Sequence, residues 1–132
     1  MSHKLSLRLW RGRYAVCRVP PRAPVPPWAA GAGEFTSVTR TREETSVVCA
    51  EDAVPPGIPC AAGWRILEVA GPLDFEQTGI LASVASPLAH AGVSIFTVST
   101  YGTDYVLIGE PQLDTALQPL RAAGHTVEQS TG

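Results

Sequence analysis

Residues 63–110, GWRILEVAGPLDFEQTGILASVASPLAHAGVSIFTVSTYGTDYVLIGE, decide the fold. The run WRILEVA is an apolar stretch of strand length. GPLDFEQT follows as a loop. GILASVASPLAHAG then places Ile80, Leu81, Val84, Leu88 and Ala91 at helical spacing and ends at Gly92, a residue suited to close a helix. Two further apolar runs, VSIFTVST and DYVLIG, flank a short polar stretch and predict a hairpin. Beyond them, EPQLDTALQPLRAAG carries Leu113, Ala116, Leu117 and Leu120 on one helical face, with Gly124 as its stop. HTVEQ is a last short strand. Strand, helix, strand, strand, helix, strand is the split βαβ order of a ferredoxin-like sandwich, with two helices on one face of an antiparallel sheet. Pro87 and Pro119 lie inside the two helical patterns, and each removes one N–H donor.

Upstream, the chain is punctuated by proline. KLSLRLW alternates, with Leu5, Leu7 and Leu9 on one face. RGR makes a turn, and YAVCRV makes a second strand paired with the first. PPRAPVPPW holds five prolines in nine residues, which excludes a central strand or a long helix and leaves room for one helical turn over 27–30. EFTSVTRT and TSVVCAE form a hairpin about a charged turn. AVPPGIPC is a connector, so two units are expected, 1–60 and 61–132. The fold class is therefore α+β. It comprises two ferredoxin-like βαββαβ units, the first degenerate, with antiparallel sheets and helices on one face.

The 132 residues are 45% hydrophobic and 17% charged, ordinary for a folded domain and too apolar for disorder. A net charge of −2 gives no global field for nucleic acid. No apolar run reaches the length of a membrane span, and MSHKLSLRLW lacks the apolar core of a signal peptide, so a cytoplasmic location is expected. Cys17, Cys49 and Cys60 form neither a CxxC pair nor a metal spacing. His3, His90 and His125 are likewise scattered. Ser83 and Ser86 near His90 have no third member for nucleophilic catalysis. No phosphate loop or dinucleotide fingerprint is present. No enzyme, metal or cofactor is read from the chain.

The paired signatures SVTRT…E.SVVC and GPLDF…TGILAS…PLA.AG.SIF..ST..TDY.L resemble those of the tandem ACT-domain proteins of bacteria. These are in turn similar to the ACT pairs of aspartate kinases and of the CASTOR-type arginine sensors. The resemblance spans about residues 34–125. It implies a non-catalytic regulatory protein that binds a small molecule, an amino acid, where two ACT units meet edge to edge. The ligand contacts it implies are Asp74, Phe75, Gln77, Thr78, Gly79 and Ile80 after the first strand, and Ser99, Thr100, Tyr101, Thr103 and Asp104 in the hairpin. Ser37, Val38 and Thr39 would come from the other unit. The arginine sensors carry an acidic residue where Gln77 stands, so the ligand class stays open.

The chemistry suits those residue types. A zwitterion's carboxylate is met by N–H donors at a helix start, and a glycine lets the backbone approach. Its ammonium is met by a carboxylate such as Asp104, with Ser99 and Thr100 adding hydroxyls and Phe75 and Tyr101 walling the pocket. Each residue also has a plain structural role available. Asp104 could bond its own turn, and Thr78 or Asp74 could cap the helix. Arg40 could be a solvated strand-end charge, and Phe75 could belong to the core. A homodimer is expected, because such sheets have open edges. The alternative is an interaction or structural module that kept the fold and lost the ligand.

Overall fold

A computed structural model describes residues 3–30, 34–70 and 78–129. The chain divides into two compact units, Gly12–Trp64 and a second made of Met1–Arg11 with Arg65–Gly132. The proline connector is thus no boundary. The division falls inside one long strand, and the first eleven residues go with the C-terminal unit.

The C-terminal unit holds β1 (Ser6–Leu9), the second half of β5 (Cys60–Val69), α1 (Ile80–His90), β6 (Ile95–Ser99), β7 (Asp104–Gly109), α2 (Leu113–Ala122) and β8 (Thr126–Gln129). Its strands run in the order β6-β7-β5-β1-β8. A four-stranded ferredoxin-like sheet would place β8 against β5. Here β1 lies between them, antiparallel to β5 (Leu7 opposite Val69) and parallel to β8 (Leu7 opposite Val127). The expected hairpin of β1 with the next strand does not form. Leu7 and Leu9 find a helix-covered core on this sheet, joining Leu67, Val69, Val84, Leu88, Val106, Ile108, Ala116 and Leu120.

Both helices end as their glycines predict. Gly92 and Gly124 sit at φ +76° and +98°. In α1 the N–H of Val93 reaches the carbonyl of Leu88 at 2.9 Å and that of Gly92 reaches Ala89 at 3.1 Å. In α2, His125 reaches Leu120 and Gly124 reaches Arg121 in the same pattern, at 3.1 and 2.9 Å. This double closure satisfies two orphan carbonyls and turns the following residue, Val93 or His125, inward.

The N-terminal unit holds β2 (Tyr14–Val19), β3 (Ser37–Arg40), β4 (Thr45–Ala50) and the first half of β5, in the order β3-β4-β2-β5. That is the ferredoxin strand order with both helices replaced. The first gives way to the proline-rich segment, whose one turn is closed by bonds from Ala29 and Ala30 to the carbonyl of Pro26. The second gives way to a single 3-10 turn, Glu51–Ala53. The core shrinks accordingly to Ala15, Cys17, Val19, Ala29, Val47 and Cys49, with Trp28, Val54 and Ile58 packed beside it. A bulge interrupts the β2–β5 pairing between Tyr14 and Val16, and Gly63 meets it at φ +84°. The Gly63 N–H is held by the Glu51 carboxylate at 2.7 Å.

Candidate functional site

The hairpin tip is built from its own hydroxyls. Ser99 and Asp104 are the last paired residues of β6 and β7, and the Ser99 hydroxyl donates to Asp104 Oδ1 at 2.6 Å. The Thr100 N–H donates to the Thr103 carbonyl at 2.9 Å, and the Thr103 N–H reaches Thr100 Oγ1 at 3.3 Å. These bonds close a turn with Tyr101 and Gly102 at its tip, where Tyr101 is 87% exposed. Thr103 is buried, and its hydroxyl donates to the carbonyl of Val69 at 2.5 Å, tying the hairpin to the end of β5. Tyr101 is too exposed to wall a pocket by itself.

The start of α1 follows the same end of β5. Gly79 is the N-cap, in the left-handed region at φ +78°, and has no side chain with which to cap the helix. The N-cap position is therefore not that of Thr78. The Thr78 carbonyl instead accepts from His3 Nε2 at 2.8 Å. The His3 N–H donates to Ser83 Oγ at 3.0 Å, and that hydroxyl donates to the Gly79 carbonyl at 2.8 Å. Ile80 is buried in the helix–sheet core. Asp74, Phe75 and Gln77 lie outside the described residues.

Ser37, Val38 and Thr39 belong to the other compact unit, on its outer strand β3, paired with Val48, Val47 and Ser46. Val38 is exposed. Arg40, at the end of that strand, is no free charge. Its guanidinium donates to the carbonyls of Pro21 and, at 2.7 Å, Ala23, fastening the proline-rich segment.

Two features escaped the sequence reading. The first is a cavity of about 340 Å³ on α1, lined by Gly79, Ser83, Ser86, Pro87, His90 and His125 among others. Its signal was present as small residues at helical spacing. Beside it, buried His125 takes the Leu5 N–H on Nδ1 at 3.1 Å and gives its Nε2 proton to the Ser83 carbonyl at 2.7 Å. That carbonyl is the one Pro87 leaves without a helical donor. The second feature is an aromatic and ionic cluster on β1, β5 and β7. Trp10 donates to Glu68 at 2.8 Å and meets Tyr105 edge-on at 6.0 Å, and Arg8 lies 3.6 Å from Glu68. Burial pushes the Tyr105 hydroxyl up from its ordinary value, Glu68 adds to that, and Arg8 opposes it. Among the described residues, no group of three or more His, Cys, Asp or Glu is placed to hold a metal ion. None of their helices is long and apolar enough to cross a membrane.

Comparison with known proteins supplies the lineage. The ACT domain family matches residues 60–122, and a family defined on an N-terminal domain matches residues 12–57. The human protein "Cytosolic arginine sensor for mTORC1 subunit 1" is 36% identical over 59 residues. That stretch is 44% of this chain and only 18% of the sensor. The crystal structure of an Agrobacterium tumefaciens protein aligns over 99% of this chain and 97% of its own, at 35% identity and a TM-score of 0.92. The regulatory subunit of aspartate kinase from Thermus flavus shares the fold over 92% of this chain and 99% of its own, at a TM-score of 0.63 and 13% identity. The chain thus carries an ACT domain in its C-terminal half and belongs to one family with the Agrobacterium tumefaciens protein along its whole length.

Proposed function

We propose that this protein is a non-catalytic regulatory module that binds an amino acid, with the zwitterion held between the start of α1 and the mouth of the β6–β7 hairpin. One observation carries the reading. The first turn of α1 opens at an exposed left-handed glycine that offers no side-chain cap of its own, and Thr103 ties the hairpin to the end of the strand that precedes this helix in the chain. The N–H groups of a helix's first turn suit a carboxylate. Asp104, half-buried and accepting one bond from Ser99, suits an ammonium. The resemblance to an arginine sensor over 59 residues of this chain supports an amino acid as the ligand. Gln77 in place of an acidic residue favours a side chain other than a guanidinium.

The edge-to-edge seam between ACT units is part of the proposal, and so are the ligand contacts assigned to Asp74, Phe75, Thr78, Ser99, Thr100, Ser37, Val38 and Thr39. Strands β3 and β6 are each the outer strand of their own sheet, where a further ACT unit adds by backbone pairing. A cytoplasmic homodimer, with no nucleic acid or membrane as partner, completes it. Regulation then follows from differential affinity, since the ligand favours whichever assembly it binds better.

A second reading, an interaction module without ligand, draws on the hairpin hydroxyls being used internally. A thermal-shift screen against the twenty amino acids, repeated on Asp104→Ala, separates the two. A ligand at 100 times its dissociation constant adds roughly 2.7 kcal/mol. A shift that disappears in the variant supports the sensor. No shift with any of the twenty discards it.

A further inference from the structure

In the N-terminal unit the three cysteines, scattered in sequence, come together. Cys17 on β2 and Cys60 on β5 are directly opposite each other in the antiparallel register. The Arg18 N–H donates to the Pro59 carbonyl at 3.0 Å. A bond from the residue after one member to the residue before the other marks a non-hydrogen-bonded pair, in which Cα atoms lie about 4.5 Å apart and side chains share one face. That separation falls at the short end of the range a disulfide spans. Cys49 on β4 packs beside Cys17 in the same core, while Cys60 is exposed.

We propose that Cys60 and Cys17 form a peroxide-driven, reversible disulfide between β5 and β2, with Cys60 as the thiol that meets the oxidant and Cys17 as the one that resolves it. The Cys60 sulfur attacks hydrogen peroxide, the O–O bond breaks, and water leaves behind a sulfenic acid. The Cys17 sulfur then attacks the Cys60 sulfur. The S–O bond breaks, and the departing hydroxide takes the Cys17 proton as a second water. Two thiols are oxidised, one peroxide is reduced, and two waters form.

The environment sets the order. Burial, with Cys49 and Cys60 adding to it, pushes the Cys17 thiol up to about 12, and burial also raises Cys49. Neutral buried thiols are poor first targets for peroxide, whereas an exposed one is accessible. The bond would matter to this unit in particular. It lacks the two covering helices, and a link from 17 to 60 encloses the proline-rich segment, β3, β4 and the 3-10 turn. Closing so long a loop restricts the unfolded chain.

The test uses the full chain, treated with hydrogen peroxide, blocked with N-ethylmaleimide and mapped without reduction. The expected result is one intramolecular Cys17–Cys60 peptide, lighter by about 2 Da than its two thiols, reversed by dithiothreitol and accompanied by a higher melting temperature. The same bond forms in Cys49→Ala. In Cys17→Ala, Cys60 stays as a sulfenic acid that dimedone captures. Cys60→Ser, altered at an exposed position, folds and forms no bond. A Cys60–Cys60 dimer, a Cys60 sulfinic acid without cross-link, or a cross-link through Cys49 overturns the assignment.

Discussion

His125 and Pro87 are coupled through one carbonyl, and a double-mutant cycle measures the coupling. Proline at 87 leaves the Ser83 carbonyl without its helical donor, and His125 Nε2 fills the gap at 2.7 Å while Nδ1 receives the Leu5 N–H. His125→Leu keeps similar volume and removes both bonds. Each orphaned group costs about 1–3 kcal/mol, and water entering from the neighbouring cavity offsets part of the Ser83 share, so a total loss of about 2–4 kcal/mol is expected. In the Pro87→Ala background, the new N–H at 87 donates to the Ser83 carbonyl. Only the Leu5 donor is then orphaned, and His125→Leu should cost about 1–2 kcal/mol less than in the wild type. Urea unfolding of the four proteins gives the numbers. Costs that simply add, within about 0.5 kcal/mol, would refute the view that the histidine serves the proline.

Thr103→Val keeps the side-chain shape but leaves the buried Val69 carbonyl without its donor, at a cost of about 1–2 kcal/mol, with amide exchange accelerated over 99–104. Unchanged exchange there would show that the hairpin is tied elsewhere. Gly92→Ala should lose about 1 kcal/mol and Gly92→Asn less, because the cost is conformational only: a Cβ at this position meets no atom within 4 Å. Equal losses for the two would contradict that. The buried Cys17 thiol, raised from 9.0 to about 12, makes the folded state hold a proton that the unfolded chain releases. Its contribution is whole below the unfolded value and is lost as pH climbs towards the folded one. Unfolding measured across this alkaline range should show a decline that Cys17→Ala flattens, and an equal decline in both proteins would assign the effect to other groups.

What the sequence disclosed, and what it hid, follow from the range of the forces involved. The two helices and their stops were legible because apolar spacing and terminal glycines are local signals, and Ile80 to Leu88 and Leu113 to Leu120 occupy the core as spaced. The prolines within them looked like defects. The remedy for Pro87 lies some forty residues further along, at His125, where no local pattern can announce it. The partner of β1 is hidden for the same reason. A turn-like RGR next to YAVCRV suggests a hairpin, but alternation specifies a buried face and not the neighbour that buries it. In the hairpin tip, the residue types were visible and their hydrogen-bond partners were not, so Thr103 offered no sign that Val69 holds it. The thiols were equally opaque, since spacing along the chain says nothing of registry across strands.

The position of β1 also bears on how the protein is made. Its neighbours β5 and β8 follow the whole N-terminal unit in the chain, so this strand leaves the ribosome before either of them exists. Residues 12–64 complete their four strands first, and the C-terminal sheet must await residues near 126–129 before its β1–β8 ladder can close. Ladders of such sequence separation close slowly. During that interval β1 can pair with β5 through Leu7 and Leu9, but its other edge has no partner. A nascent chain stalled before β8 would therefore hold a folded N-terminal unit beside an unfinished sheet, the state in which a chaperone or a second nascent copy could pair with the waiting strand.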